Sequence, residues 1–218
     1  MDELIVQLLP EVAGLMITPG AIIGCILLLQ SRQPVHNAVA FAAGFLVVYV
    51  MIAVSALLGG ASDPGSTTPE TSHGAGLVIG LIFLSIGSWT AVRQPRPVAG
   101  RPRLLRELDT AHPPKAFILG VALGAINPNL FLMISGMSII ASSTVGVVAA
   151  LLATLALLIA AFIDFLIPIG AYLALGERAR TGLDAVEAWM LRNSRTLTLF
   201  VLFGFGALFT VRGVVDLM

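Results

Sequence analysis

The sequence predicts an all-α polytopic membrane protein, with six transmembrane helices arranged as two inverted three-helix repeats. Three observations lead to this fold class: 57% of the 218 residues are apolar and only 11% are charged, the apolar residues form long runs, and two of the runs are interrupted at matched positions. Soluble domains contain about a quarter charged residues, so this chain has too little polar surface to face water on all sides.

The apolar runs are long enough to be membrane-spanning helices, each of which needs about 20 apolar residues. Barrel strands are excluded because they alternate polar and apolar residues over about ten positions. The helix backbone satisfies its own hydrogen bonds in lipid, which favours helices for all the runs. The six predicted spans are Leu4–Leu29, Asn37–Gly59, Gly76–Val92, Pro114–Ala141, Val145–Leu175 and Thr196–Leu217.

The basic residues predict the orientation of the chain. Eleven of the twelve Lys and Arg residues fall in or beside the first, third and fifth connections, and six of these lie in Arg93–Lys115. Cytoplasmic loops carry such an excess, so these connections are expected inside and both termini outside, in a bacterial plasma membrane. The predicted domains are a first repeat (1–93), a cytoplasmic basic loop (94–113) and a second repeat (114–218).

The fifth connection has its own pattern. From Glu177 to Asn193, apolar residues that include Trp189 and Met190 recur at helical spacing between charges. This pattern predicts a short amphipathic helix on the inner membrane surface. An ordinary solvated hairpin is the alternative.

The internal repeat is visible as a polar residue followed by proline near the centre of the first and fourth spans. These interruptions lie about 14 residues inside their spans, which is roughly 20 Å at helical rise and close to the bilayer midplane. Three spans per half give the halves opposite orientations, as in many secondary transporters. The first interruption reads Thr18, Pro19, Gly20, and the second reads Asn127, Pro128, Asn129.

Both interruptions have the chemistry of a helix start. A Thr or Asn before proline provides a cap and a first helical position. Each span is therefore predicted to be two half-helices whose free N–H groups meet at one substrate or ion site. Simple proline kinks are the alternative.

Two carboxylates fall inside the predicted spans. Asp164 lies in the middle of the fifth span, where a charged group costs about 2.5–3.5 kcal/mol, so it is predicted to face the interior near the interruptions and to act on a proton or substrate. A carboxylic acid that merely bonds two helices is the alternative. Glu11 lies nearer the outer end of the first span and is either part of the same pathway or interfacial.

The sequence contains no motif typical of catalysis. The histidines, His36, His73 and His112, form no cluster at metal-ligand spacing, and phosphate-binding loops and nucleophile motifs are absent. The formal net charge of zero gives no basic face for nucleic acid. We therefore expect neither an enzyme nor a cofactor, metal or nucleic-acid partner.

Three stretches carry a resemblance to a known family: Leu28–Asn37, Gly120–Leu132 and Ala188–Arg195. The chain resembles the sulfolipid- and glycopeptidolipid-addressing proteins of mycobacteria, which belong with the lysine-exporter superfamily. The resemblance implies six membrane helices and a role in moving large glycolipids towards the cell surface.

Three functions remain open. The first is a membrane exporter or accessory translocation subunit for a glycolipid, which needs a cavity that opens sideways between helices. The second is a proton-coupled exporter of an amino acid or other small polar metabolite, which needs a sealed polar cavity. The third is a scaffold of a larger lipid exporter, and self-association is open for all three.

The basic loop and the fifth connection are expected to form one cytoplasmic platform for anionic headgroups or a partner. Anionic lipid attracts such cations by about 1 kcal/mol each near the surface. The alternative is that these cations only set the topology of the chain. The contact residues predicted for this platform are Arg101, Arg103, Arg106 and Trp189.

The first prediction concerns topology. A cysteine replacing Arg103 should resist a membrane-impermeant maleimide added to intact cells and react after permeabilisation, because the basic loop is cytoplasmic. A cysteine replacing Ser66 serves as the control. Ser66 lies in the second connection, which contains no Lys or Arg, so this cysteine should react from outside. Ready labelling at position 103 in intact cells would refute the orientation.

Overall fold

The structure, a computed structural model, describes residues 2–62, 69–92 and 112–215. Within these ranges every regular element is an α-helix, which confirms the predicted fold class at that level. In chain order the helices are α1 (Asp2–Leu15), α2 (Pro19–Leu29), α3 (Pro34–Ser62), α4 (Pro69–Val92), α5 (Pro113–Ile126), α6 (Asn129–Ser142), α7 (Val147–Leu175) and α8 (Glu177–Val215).

Between three and five candidate membrane spans are present in the described residues. Segments of α3, α7 and α8 are long and apolar enough to cross a membrane, and the bent pairs α1–α2 and α5–α6 qualify when each pair is taken as one span. The predicted third span is represented by a shorter apolar segment, Gly80–Val92 in α4. The arrangement of six spans in two inverted repeats stays a prediction.

The fifth connection does not form a separate surface helix. Glu177–Val215 is one continuous helix, so the predicted surface segment is the first half of the same element as the last span. No proline or glycine lies between Asn193 and Thr196 to stop the helix. At a rise of 1.5 Å per residue α8 is roughly 58 Å long, about twice the hydrocarbon thickness, so part of it extends beyond the lipid core.

Aromatic side chains fill the contact between α3 and α7. The Phe45 ring stacks on Tyr49 with centroids 4.7 Å apart and packs against Phe165 at 5.1 Å. Phe41 meets Phe165 edge-on at 5.8 Å. Phe165 follows Asp164 directly, so this aromatic cluster packs α3 against the part of α7 that contains the carboxylate.

Helices α3 and α5 approach at backbone distance. A Cβ atom on Gly44 would collide with the carbonyl oxygen of Phe117, and one on Gly120 would collide with that of Phe41. Small residues allow such approach between membrane helices, where van der Waals packing is a main source of association. The pair α3–α5 is thus a close-packed unit beside the break that ends α5.

The second prediction concerns this helix pair. Gly120→Ala should lower the free energy of unfolding by about 1–3 kcal/mol, because the added methyl group meets backbone rather than a movable side chain. The measurement is reversible denaturation in mixed micelles. Gly170→Ala in α7 is the matched control, since nothing lies within 4 Å of its added Cβ atom. Equal stability of the two variants would contradict the packing argument.

Candidate functional site

The first break lies between α1 and α2, which meet at an angle of 45°. Thr18 precedes Pro19 at the start of α2, and its φ of −115° and ψ of 89° are not helical. The Thr18 carbonyl accepts the Ala21 N–H at 3.0 Å and so begins the second half-helix. Proline at the first position loses no intrahelical bond there, because that N–H would have no partner.

The second break lies between α5 and α6, which meet at 67°. Asn127 is extended, with φ −67° and ψ 130°, and its side-chain Oδ1 accepts the N–H of Asn129 at 3.0 Å. The asparagine thus caps the helix that follows, as expected of this residue type. Both predicted interruptions are breaks between half-helices.

The two breaks are in direct contact. Asn129 Nδ2 donates to Thr18 Oγ1 at 2.8 Å and to the Gly14 carbonyl oxygen at 3.0 Å. Both side chains are buried, with 2% of Asn129 and 4% of Thr18 exposed. The end of α1 and the beginning of α6 are therefore tied together by hydrogen bonds that neither helix could satisfy alone.

Asp164 of α7 reaches the same point. It is buried, and its Oδ2 accepts the backbone N–H of Thr18 at 2.8 Å. Asp164 therefore faces the interior, within reach of the first break, as the sequence predicts; its role in transport stays a prediction.

Glu11 is a core residue and not an interfacial one. It is fully buried on α1, and Ser135 Oγ of α6 donates to its Oε1 at 3.1 Å. The interfacial alternative is therefore wrong, because α6 packs over the side chain that could have reached the headgroups. Glu11 lies about two turns before Thr18, roughly 10 Å along the helix axis.

A cavity of about 300 Å³ adjoins the two breaks. Its polar side chains are those of the breaks and of Thr198 on α8, and most of the remaining wall is aliphatic. Ile126 contributes to the wall and is 81% exposed, so the cavity opens onto the outer surface of the helix bundle. The lining residues are Thr18, Pro19, Gly20, Leu123, Ile126, Asn127, Pro128, Asn129, Thr198, Val201 and Leu202.

Sequence reasoning missed two contributions from α8. Thr198, Val201 and Leu202 form one side of the cavity. The only signal in the sequence was Thr198, a polar residue within a predicted apolar span. At the other end of α2, Gln30 Nε2 donates to Asp184 Oδ1 at 2.8 Å and to Glu187 Oε2 at 2.9 Å. These partners are more than 150 positions apart, and no local pattern reveals them.

The predicted cytoplasmic platform is only partly described. Arg101, Arg103 and Arg106 lie outside the described residues. Trp189 is on α8, half exposed, and does not line the cavity. No group of three or more His, Cys, Asp or Glu side chains suited to a metal ion occurs within residues 2–62, 69–92 and 112–215.

The third prediction concerns the contact between the breaks. Asn129→Ala should lower the free energy of unfolding by about 1–2 kcal/mol, because interhelical hydrogen bonds in membranes contribute about 0.6 kcal/mol on average and up to about 1.7. Asn193→Ala is the control: Asn193 is only partly buried and bonds within its own helix, to the Trp189 carbonyl. Denaturation in mixed micelles measures both, and an equal loss in the two variants would refute a tie between the breaks.

A family model described as "Sap, sulfolipid-1-addressing protein" matches residues 8–215, which include both breaks, Glu11 and Asp164. No curated protein and no solved structure matches the chain. Because the match covers almost the whole chain, the protein belongs to the sulfolipid-1-addressing protein family.

Proposed function

We propose that this membrane protein moves a glycolipid from the inner leaflet or cytoplasm towards the cell surface, as an exporter or as an accessory translocation subunit. The opening of the cavity at the exposed Ile126 carries the proposal, because with the breaks at mid-membrane this opening would face the lipid sideways. A lipid already in the bilayer can enter such an opening without leaving the membrane. The family description names a sulfolipid, which favours a glycolipid as the substrate class.

The chemistry of the cavity suits an amphipathic ligand. Thr18, Asn127 and Asn129 provide hydrogen-bonding groups at the breaks, and Leu123 and Val201 are among the aliphatic residues of the wall. Its volume of about 300 Å³ is at the lower end for ligand sites. A large glycolipid therefore does not fit as a whole. We infer that the cavity holds one segment of the lipid while the remainder stays in the bilayer.

The proposed architecture is six spans in two inverted repeats in the bacterial plasma membrane, with both termini outside. In this arrangement the breaks lie at mid-membrane, where irregular backbone is tolerated only against protein or a cavity. The chain acts without enzymatic chemistry. Its proposed partners are membrane lipids and a larger lipid exporter, which the platform of Arg101, Arg103, Arg106 and Trp189 would contact on the cytoplasmic side.

A sealed polar cavity would favour the alternative, export of an amino acid or another small polar metabolite. The exposed Ile126 and the aliphatic wall argue against it. A scaffold without transport would need no cavity at the breaks. The lysine-exporter relationship remains an expectation that accords with either kind of exported substrate.

The fourth prediction tests the lipid path. A photo-crosslinking amino acid in place of Ile126 should capture a glycolipid in native membranes at a yield several-fold above the same group in place of Ile118. Ile118 is the matched control, because it lies on α5, is 65% exposed and does not line the cavity. Mass spectrometry of the crosslinked lipid measures the enrichment. Equal capture of bulk phospholipid at both positions would contradict the proposal.

A further inference from the structure

The Asp164 carboxylate is only half satisfied. Its Oδ2 is bound by Thr18, but its Oδ1 is buried without a hydrogen-bond partner among the described residues. Only 2% of the residue is exposed. A buried acceptor without a partner costs about 1–3 kcal/mol, more when it is charged, so a carboxyl kept only to join two helices would be expected to use both oxygens.

A second polar group is similarly placed. Tyr49 of α3 is fully buried, and its Oη has no partner in the described part of the chain. Tyr49 stacks on Phe45, which packs against Phe165 beside Asp164, and Cys25 of the neighbouring α2 is also buried. Both neighbours are neutral in their ordinary protonated forms. Among the described residues, these neighbours therefore give the free carboxyl oxygen no counter-charge.

Within the part of the chain that the structure describes, the other helices packed against α7 add no cation near this point. Helix α6 contains no ionisable residue, and neither does the stretch 196–211 of α8. Glu11 of α1 is itself an acid and therefore supplies no positive charge; it accepts a hydrogen bond from Ser135. One free carboxyl oxygen falls far short of the 6–8 oxygen ligands that calcium takes. A proton is the one cation that it can bind alone.

We infer that Asp164 is a proton-binding site whose occupancy controls how firmly Thr18, and with it the first turn of α2, is held beside the cavity. The inference rests on the proposed function, because it takes that cavity as the substrate's path. Hydrogen bonds to an ionised carboxylate are roughly twice as strong as neutral ones. The ionised form therefore anchors Thr18, and protonation loosens it.

The contact between the breaks extends this effect. The Thr18 hydroxyl accepts from Asn129, so a change in the anchoring of Thr18 alters both walls of the cavity. Asn129, Thr18 and Asp164 are linked by hydrogen bonds, and a second bonded pair, Glu11 and Ser135, lies on α1 and α6. We call these five polar groups, of which all but the partly buried Ser135 are buried, the polar row. Proton binding at one end of this row thus acts on the groups that line the lipid path.

The first experiment detects the proton directly. Purified protein in nanodiscs of zwitterionic lipid is titrated with pH, and infrared difference spectra follow the C=O stretch of protonated carboxyl groups. Other carboxyl groups contribute to this band, so we expect one titrating component that is present in the wild type and in Asp184→Asn, an exposed carboxylate on α8, and is lost in Asp164→Asn. Asp164→Glu should restore a shifted band, which covers the case in which the asparagine variant misfolds. A wild-type spectrum with no such titrating band would overturn the inference.

The second experiment measures the effect on the cavity. In a Cys25→Ser background, cysteines replace Ile126 or, as the control for thiol chemistry, Ile118. Each cysteine is reacted with a lipid-soluble maleimide, and the rate at position 126 is divided by the rate at position 118. This ratio should change about threefold or more over the pH range in which Asp164 titrates, and it should not change with pH in Asp164→Asn. A flat ratio while Asp164 titrates would overturn the control of the cavity.

The outcomes separate the inference from the proposed function. Both experiments use purified protein without substrate, and neither depends on which lipid is carried. A titrating Asp164 with a changing ratio, but without glycolipid capture at position 126, would refute the lipid path alone. Glycolipid capture with an Asp164 that never titrates would refute the proton site alone.

Discussion

The hydrogen bond between Asn129 and Thr18 is the constraint on which the rest of the site depends. A broken helix in a membrane exposes polar groups that lipid cannot satisfy, so each break needs a partner within the protein. Here the partner is the other break, with Nδ2 of Asn129 at 2.8 Å from Oγ1 of Thr18. Either break alone would leave buried polar groups without hydrogen bonds. Together, the two breaks supply many of the hydrogen bonds that each one needs.

The surroundings of this contact divide into a fixed part and an open part. On one side α3 and α5 touch backbone to backbone at Gly44 and Gly120, which leaves no room for either helix to slide. On the other side α8 contributes Val201 and Leu202 to a cavity wall. Close-packed interiors resist small displacements, whereas a cavity wall lacks partner atoms on one face. Movement around the breaks is therefore expected towards α8.

The sequence predicts what local chemistry determines and fails where distant packing decides. The breaks were predictable, because a polar residue followed by proline acts within one turn. The inward direction of Asp164 followed from the cost of charge in lipid. The burial of Glu11 did not, since the position of Ser135 on a distant helix decides it. The part of α8 in the cavity and the partners of Gln30 equally required the tertiary structure.

Stability is a weak reason for a membrane protein to keep a polar row in its core. Interhelical hydrogen bonds in membranes contribute about 0.6 kcal/mol on average, and apolar side chains of similar size would fill the same space without desolvation. A hydrogen bond that contributes little net free energy can, however, be replaced by another hydrogen bond with little loss of stability. The glycine contacts of α3 and α5 offer no alternative arrangement, whereas the bonds among Asn129, Thr18 and Asp164 can be remade with a proton or a headgroup. The polar row is thus the part of the core best suited to change while the helix pair beside it stays fixed.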